Sequence, residues 1–145
     1  MIQLPPELRG DLVTSFGKGD VLFWEGYEFP DNPGSKDSYV VFLTECLQGN
    51  SFLIVRGTAN IDRYTSWGKK LEIFRLTPKE CPFFRKETVL DFRWITEIPV
   101  NKISEDFSVK ARRIGSLPKE VMNRLMNALE SAKVVDRWMK KVIRE

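Results

Sequence analysis

Along this chain apolar residues come first in short bursts and then, near the C-terminus, at helical spacing. The bursts are Val21–Trp24, Tyr39–Thr44, Ser51–Arg56, Lys70–Leu76, Thr88–Ile95 and a weaker basic one at Val109–Ile114. They are rich in β-branched and aromatic residues and too short for helices, so each predicts a strand. Within Thr88–Ile95, period-two alternation puts Thr88, Leu90, Phe92 and Trp94 on one face and Val89, Asp91, Arg93 and Ile95 on the other. The stretch Phe29–Asp37, with Pro, Gly and Asp, reads as a loop, and Gln48–Asn50 as a tight turn. Ahead of the first strand, residues Glu7 to Phe16 fit either a short helix or a loose arm.

From Pro118 the period changes. Val121, Met122, Leu125, Met126, Leu129 and Ala132 lie on one helical stripe, which Trp138, Met139 and Val142 can continue. Two readings stand: one helix to the end of the chain, or a break near Lys133–Val135. The stripe packs on the sheet or meets a second copy. The basic segment Asp136–Glu145 reads as a surface helix packed through Trp138, with contact to RNA or a partner as the other option. The fold class is mainly β: a small barrel of five to seven strands over residues 18–115, then a helical segment over 116–145. Many short strands in series favour a closed sheet, which protects its edges.

Composition narrows the chemistry. A chain of 145 residues, 42% hydrophobic, has the size and apolar content of one domain. Its 23 Lys and Arg against 20 Asp and Glu give +3, which permits a nucleic-acid partner without demanding one. Two cysteines, Cys46 and Cys81, form no disulfide framework and have no CxxC zinc spacing. With no signal pattern and no long apolar run, the chain reads as cytoplasmic, without a membrane partner. There is no histidine, so Ser-His-Asp and Cys-His catalysis and the two-histidine ribonuclease mechanism are excluded.

The order of segments resembles the MazF/PemK toxins. Gly19-Asp20-Val21-Leu22-Phe23-Trp24 matches that family's opening strand, and Lys36-Asp37-Ser38-Tyr39 the junction into its second. Val55-Arg56-Gly57-Thr58-Ala59-Asn60 matches the strand ending in an apolar–Thr–Ser/Ala pattern. Arg85–Thr96 matches its later charged turn and strand, and Ala111-Arg112-Arg113-Ile114-Gly115-Ser116-Leu117-Pro118 its closing strand and helix. The resemblance runs from about Lys18 to Ala132. It implies an SH3-like barrel, a homodimer, cleavage of single-stranded RNA without a metal or other cofactor, and a small protein antitoxin covering the RNA groove.

The departures from the family bear on catalysis. The family's catalytic Arg falls at Ser38 and its Pro at Tyr39, while its Thr or Ser is retained as Thr58. The family's later-strand Gln falls near Phe92 or Arg93. A guanidinium holds phosphate bidentately and offsets charge on the phosphoryl oxygens; serine does neither. Arg56 lies two residues before Thr58, on the same face of an extended strand. It is either the replacement cation or a solvated strand-end charge. The expected catalytic residues are therefore Thr58 and Arg56. Lys36 and Ser38, with the polar loop residues Arg63, Tyr64, Trp67, Lys69 and Lys70, supply the cations and aromatic platforms that single-stranded RNA uses. The expected function is a toxin-like RNA-binding protein and metal-independent endoribonuclease. The alternative is the same fold kept as a non-catalytic interaction module.

Overall fold

The structure, a computed structural model, describes residues 5–29, 32–48, 50–59 and 72–145. Six strands form one antiparallel sheet: β1 (Asp20–Phe29), β2 (Asn32–Phe42), β3 (Ser51–Thr58), β4 (Ile73–Leu76), β5 (Thr88–Pro99) and β6 (Ala111–Ser116). Their order across the sheet is β4-β5-β3-β2-β1-β6. The described strands make an open row of pairings, with β4 and β6 at its ends. Among the described residues four helices accompany them: α1 (Pro6–Thr14), α2 (Val100–Asp106), α3 (Lys119–Ser131) and α4 (Arg137–Arg144). Among the described residues, no helix is long and apolar enough to cross a membrane.

Strand alternation splits the core in two. Leu22, Trp24, Val40, Phe42, Phe52, Ile54 and Ile98 face one way, under α1 and α2, where Val13, Phe16, Val100 and Ile103 complete the cluster. Val21, Val41, Leu43, Leu53, Val55, Leu90 and Phe92 face the other way. They are covered by α3, α4 and residues Cys81 and Phe84 of the β4–β5 connection. Trp24 is fully buried, and its Nε1 donates to Asp106 Oδ2 at 2.6 Å, tying β1 to the end of α2. That bond satisfies the one polar atom of an otherwise apolar ring.

Of the stretch expected to be a loop at 29–37, Phe29 and residues 32–37 are strand instead. β1 and β2 pair as far as Phe29↔Asn32, with irregularities on either side of Tyr27↔Lys36. Gly26, at φ +64, permits the first of these, and its N–H donates to Asp37 Oδ1 at 3.0 Å. Among the described residues β3 joins β2 only from Tyr39 onward, so there the outer part of the hairpin, with Pro33, is paired on one side, where proline is tolerated. The helix α2 was not anticipated: its seven residues bury only Val100 and Ile103, too short a stripe to read from sequence. The amino-terminal segment takes the helical option.

The C-terminal segment takes the broken option. The α3 stripe buries Val121, Leu125 and Leu129, and the chain leaves the helix at Ala132 in extended conformation. Ala132 and Val135 are buried, which pins the connector to the core. The carboxylate of Glu72 accepts the N–H groups of Lys133 and Val134 at 2.9 and 2.7 Å, so the freed backbone donors are satisfied. At the far end of α4, Lys18 Nζ donates to the carbonyls of Ile143 and Glu145 at 2.5 and 2.8 Å. A cation suits a helix C-terminus, where carbonyls lack intrahelical donors.

Candidate functional site

The central strand β3 lies between β2 and β5, and its residues are buried from Ser51 to Gly57. Phe52 and Ile54 belong to the α1/α2 side of the sheet. By alternation Arg56 and Thr58 continue that face, as period-two spacing predicts. Val40 pairs with Arg56 and Tyr39 with Gly57, so one more step along the ladder sets Ser38 opposite Thr58. Ser38 also pairs with Trp24 on β1. Ser38, Arg56 and Thr58 thus share one face where the apolar cluster gives way to polar residues.

Their burial differs from the sequence expectation. Arg56 is 9% exposed and Ser38 2%, while Thr58 is half-buried. Arg56 is therefore no solvated strand-end charge; its side chain is engaged within the protein. Gly57 is held tightly between them. A Cβ placed there would stand 3.0 Å from Thr88 Cγ2 and 3.1 Å from Leu90 Cδ2.

On the other side of β3, the ladder to β5 changes register. Val55 pairs with Ile95 and Gly57 with Leu90, so two steps along β3 face five along β5. The extra residues form a wide bulge at 91–94, opposite Arg56. A bulge re-aims the side chains it carries. Asp91 is 1% exposed, yet it is well satisfied. Arg93 Nη2 donates to its Oδ2 at 2.7 Å, Arg93 Nε lies 3.1 and 3.2 Å from the two oxygens, and the Arg93 N–H donates at 3.0 Å. The Arg93 guanidinium carbon also sits 5.3 Å from the centre of the Trp94 ring. Sequence reasoning missed this pair as part of the site, because only the register places it beside Arg56.

The register sets the hydroxyl of Thr58 and the guanidinium of Arg56 on β3, across from the β5 bulge that carries Arg93. A hydroxyl with nearby guanidinium charge suits a phosphate group, although the Arg93 charge is already offset by Asp91. Lys36 is placed by its backbone, opposite Tyr27 in the outer hairpin and away from the Arg56–Thr58 pair along β2. Arg63, Tyr64, Trp67, Lys69 and Lys70 lie outside the described residues. Neither the protein-family models nor the curated proteins contain a match to this chain.

Proposed function

We propose that the protein is a toxin-like binder of single-stranded RNA and a metal-independent endoribonuclease of the MazF/PemK kind. The observation that carries this reading is the convergence of Ser38, Arg56 and Thr58 on one face of the sheet. The six-stranded antiparallel sheet with C-terminal helices supports its being a variant of the small SH3-like barrel. In the proposed reaction the ribose 2′-oxygen attacks the adjacent phosphorus and the bond to the 5′-oxygen breaks. The hydroxyl proton is lost from the 2′-oxygen, and the departing 5′-oxygen takes up a proton. Thr58 positions the scissile group, and Arg56 offsets the charge gathering on the phosphoryl oxygens.

A second reading is favoured by a specific observation: Ser38 stands where the family's Arg falls, and Arg56 is nearly closed off from solvent. A binding module that does not cut needs no cation open to the phosphate. Single-turnover digestion of a long single-stranded RNA, with and without a chelator, separates the two. Cleavage that survives the chelator and disappears in Thr58→Ala and Arg56→Ala supports the enzyme. Binding without cleavage supports the module. Absence of both overturns the RNA reading.

The proposed assembly is a homodimer, with a small protein antitoxin covering the RNA groove. The exposed Val109 beside the edge strand β6 and Val134 in the α3–α4 connector are the apolar positions that support a self-contact. Sedimentation at tens of micromolar tests it; a monomer at that concentration counts against the dimer.

A further inference from the structure

Trp138 is 48% exposed. An amphipathic C-terminal helix packed through that ring is therefore not what the chain forms. Instead α4 is held by Ile143, which is buried, with Met139 and Val142 packed against the same core. Trp138, one turn before Val142, flanks that packed stripe and is turned largely to solvent. There it lines an open cleft of about 740 Å³ with Arg137, Lys141, Arg144 and Glu145. The spacing i, i+1, i+4, i+7 and i+8 sets all five on one face. The cleft therefore carries three cations and one side-chain carboxylate around an aromatic ring. Arg144 lies 3.4 Å from Glu130, but both side chains are more than half exposed. Such a pair holds the guanidinium weakly and leaves it able to exchange partners. The helix itself is fixed in place, anchored by Ile143 and by Lys18 at its end.

We propose that this face of α4 is a second contact surface for single-stranded RNA, with Trp138 as the stacking platform and Arg137, Lys141 and Arg144 as phosphate partners. A lone exposed indole flanked by cations at one-turn intervals matches the two needs of an unpaired strand: a π-surface for a base and positive charge for the backbone. A membrane surface fits less well, because the apolar side of this short helix is already spent on the core. An acidic amphipathic peptide would need a row of apolar pockets, and the cleft offers one ring. The inference rests on the preceding reading for its ligand, RNA, but not for its site. The α4 face lies on the α3 side of the sheet, whereas Arg56 and Thr58 follow the α1/α2 side.

The test is fluorescence anisotropy of the full chain with a labelled twelve-nucleotide single-stranded RNA across a salt series. Variants are Trp138→Ala, Trp138→Phe, Lys141→Ala with Arg144→Ala, and Arg56→Ala. Trp138→Ala is expected to weaken binding by about 10- to 100-fold, with Trp138→Phe recovering most of it. The double cation variant should lower the slope of log affinity against log salt by about 1.4, at roughly 0.7 for each phosphate no longer neutralised. All substituted α4 residues are exposed, so circular dichroism should match wild type. If wild type binds and the α4 variants bind equally well, the α4 surface is overturned while the RNA reading stands, and Arg56→Ala reports on the other face. If wild type binds no RNA, both fall. Binding instead to vesicles of anionic phospholipid, abolished in Trp138→Ala, would also overturn the proposal in favour of a membrane surface.

Discussion

Gly115 in β6 lies so close to Phe83 that a Cβ on the glycine would stand 2.6 Å from the ring's Cδ1 and 2.7 Å from its Cε1. The ring closes the β4–β5 connection over the edge strand, next to the buried Phe84. Gly115→Ala must push the ring away. We expect a loss of about 1–3 kcal/mol, the usual cost of overpacking. Urea denaturation measures it, and Gly115→Ala combined with Phe83→Leu should recover part of the loss. An unchanged midpoint in Gly115→Ala would show that the ring moves freely.

The Asp91–Arg93 pair is unequal, since the carboxylate is 1% exposed and the guanidinium 36%. Removing either partner therefore has a different consequence. Arg93→Ala strands a buried anion with only a backbone donor, whereas Asp91→Asn leaves a cation that can turn to water. Arg93→Ala should cost on the order of 2–3 kcal/mol and Asp91→Asn clearly less. Thermal unfolding of both variants gives the order, and the reverse order would contradict the geometry.

The two thiols should behave differently. Burial holds the Cys81 thiol above its ordinary value of 9.0; Glu80 adds to this and Arg124 opposes it. Cys46 is only half-buried. Alkylation of the folded protein at pH 8 should label Cys46 and spare Cys81 until unfolding. The sign for stability follows from the raised value. The unfolded thiol ionises at a lower pH than the folded one. Stability is thus retained below 9.0 and declines as pH rises through and beyond it. Between pH 8 and pH 10, Cys81→Ala should lose less stability than wild type. Equal losses would assign the alkaline decline to other groups.

Under the proposed ribonuclease reading, an arginine at position 38 is the obvious attempt to strengthen cleavage, but Ser38 is 2% exposed and faces Trp24 across the β1–β2 ladder. A guanidinium there must either displace its neighbours or stay buried and charged. Ser38→Arg is expected to lower stability by more than 2 kcal/mol, roughly the scale of overpacking with a desolvated charge, without raising cleavage. Arg56→Ala should lower both stability and RNA cleavage, the latter by about a hundred- to a thousandfold if Arg56 stabilises the phosphoryl charge. Arg56→Lys keeps the charge and loses the fork, so intermediate cleavage is expected.

Much of the architecture was legible as hydrophobic period. Strands at Val21, Tyr39, Ser51 and Thr88 follow from β-branched and aromatic bursts, and α3 from its stripe. The hairpin beyond Trp24 was not, because Pro33-Gly34 is loop composition and becomes strand only through its long-range pairing with β1. Of the site, the shared face of Arg56 and Thr58 was visible, since it needs nothing beyond alternation along one strand. Their setting was not. Alternation assigns Phe92 and Ile95 to opposite faces, yet both sit in the same core cluster. The odd step of three from Phe92 to Ile95 is absorbed in pairing with β3, a long-range relation that no local pattern encodes.

The wide bulge at 91–94 also makes β5 two rulers joined by slack. Against β3, residues 89–90 keep one register and 95–99 another. Along an unbroken ladder, losing a single residue would turn every following side chain inside out. Here the slack can take up an added residue while both ends stay seated. A chain with one residue added between Arg93 and Trp94 would keep Phe92 in the core and Arg93 on Asp91, and change what it presents beside Arg56.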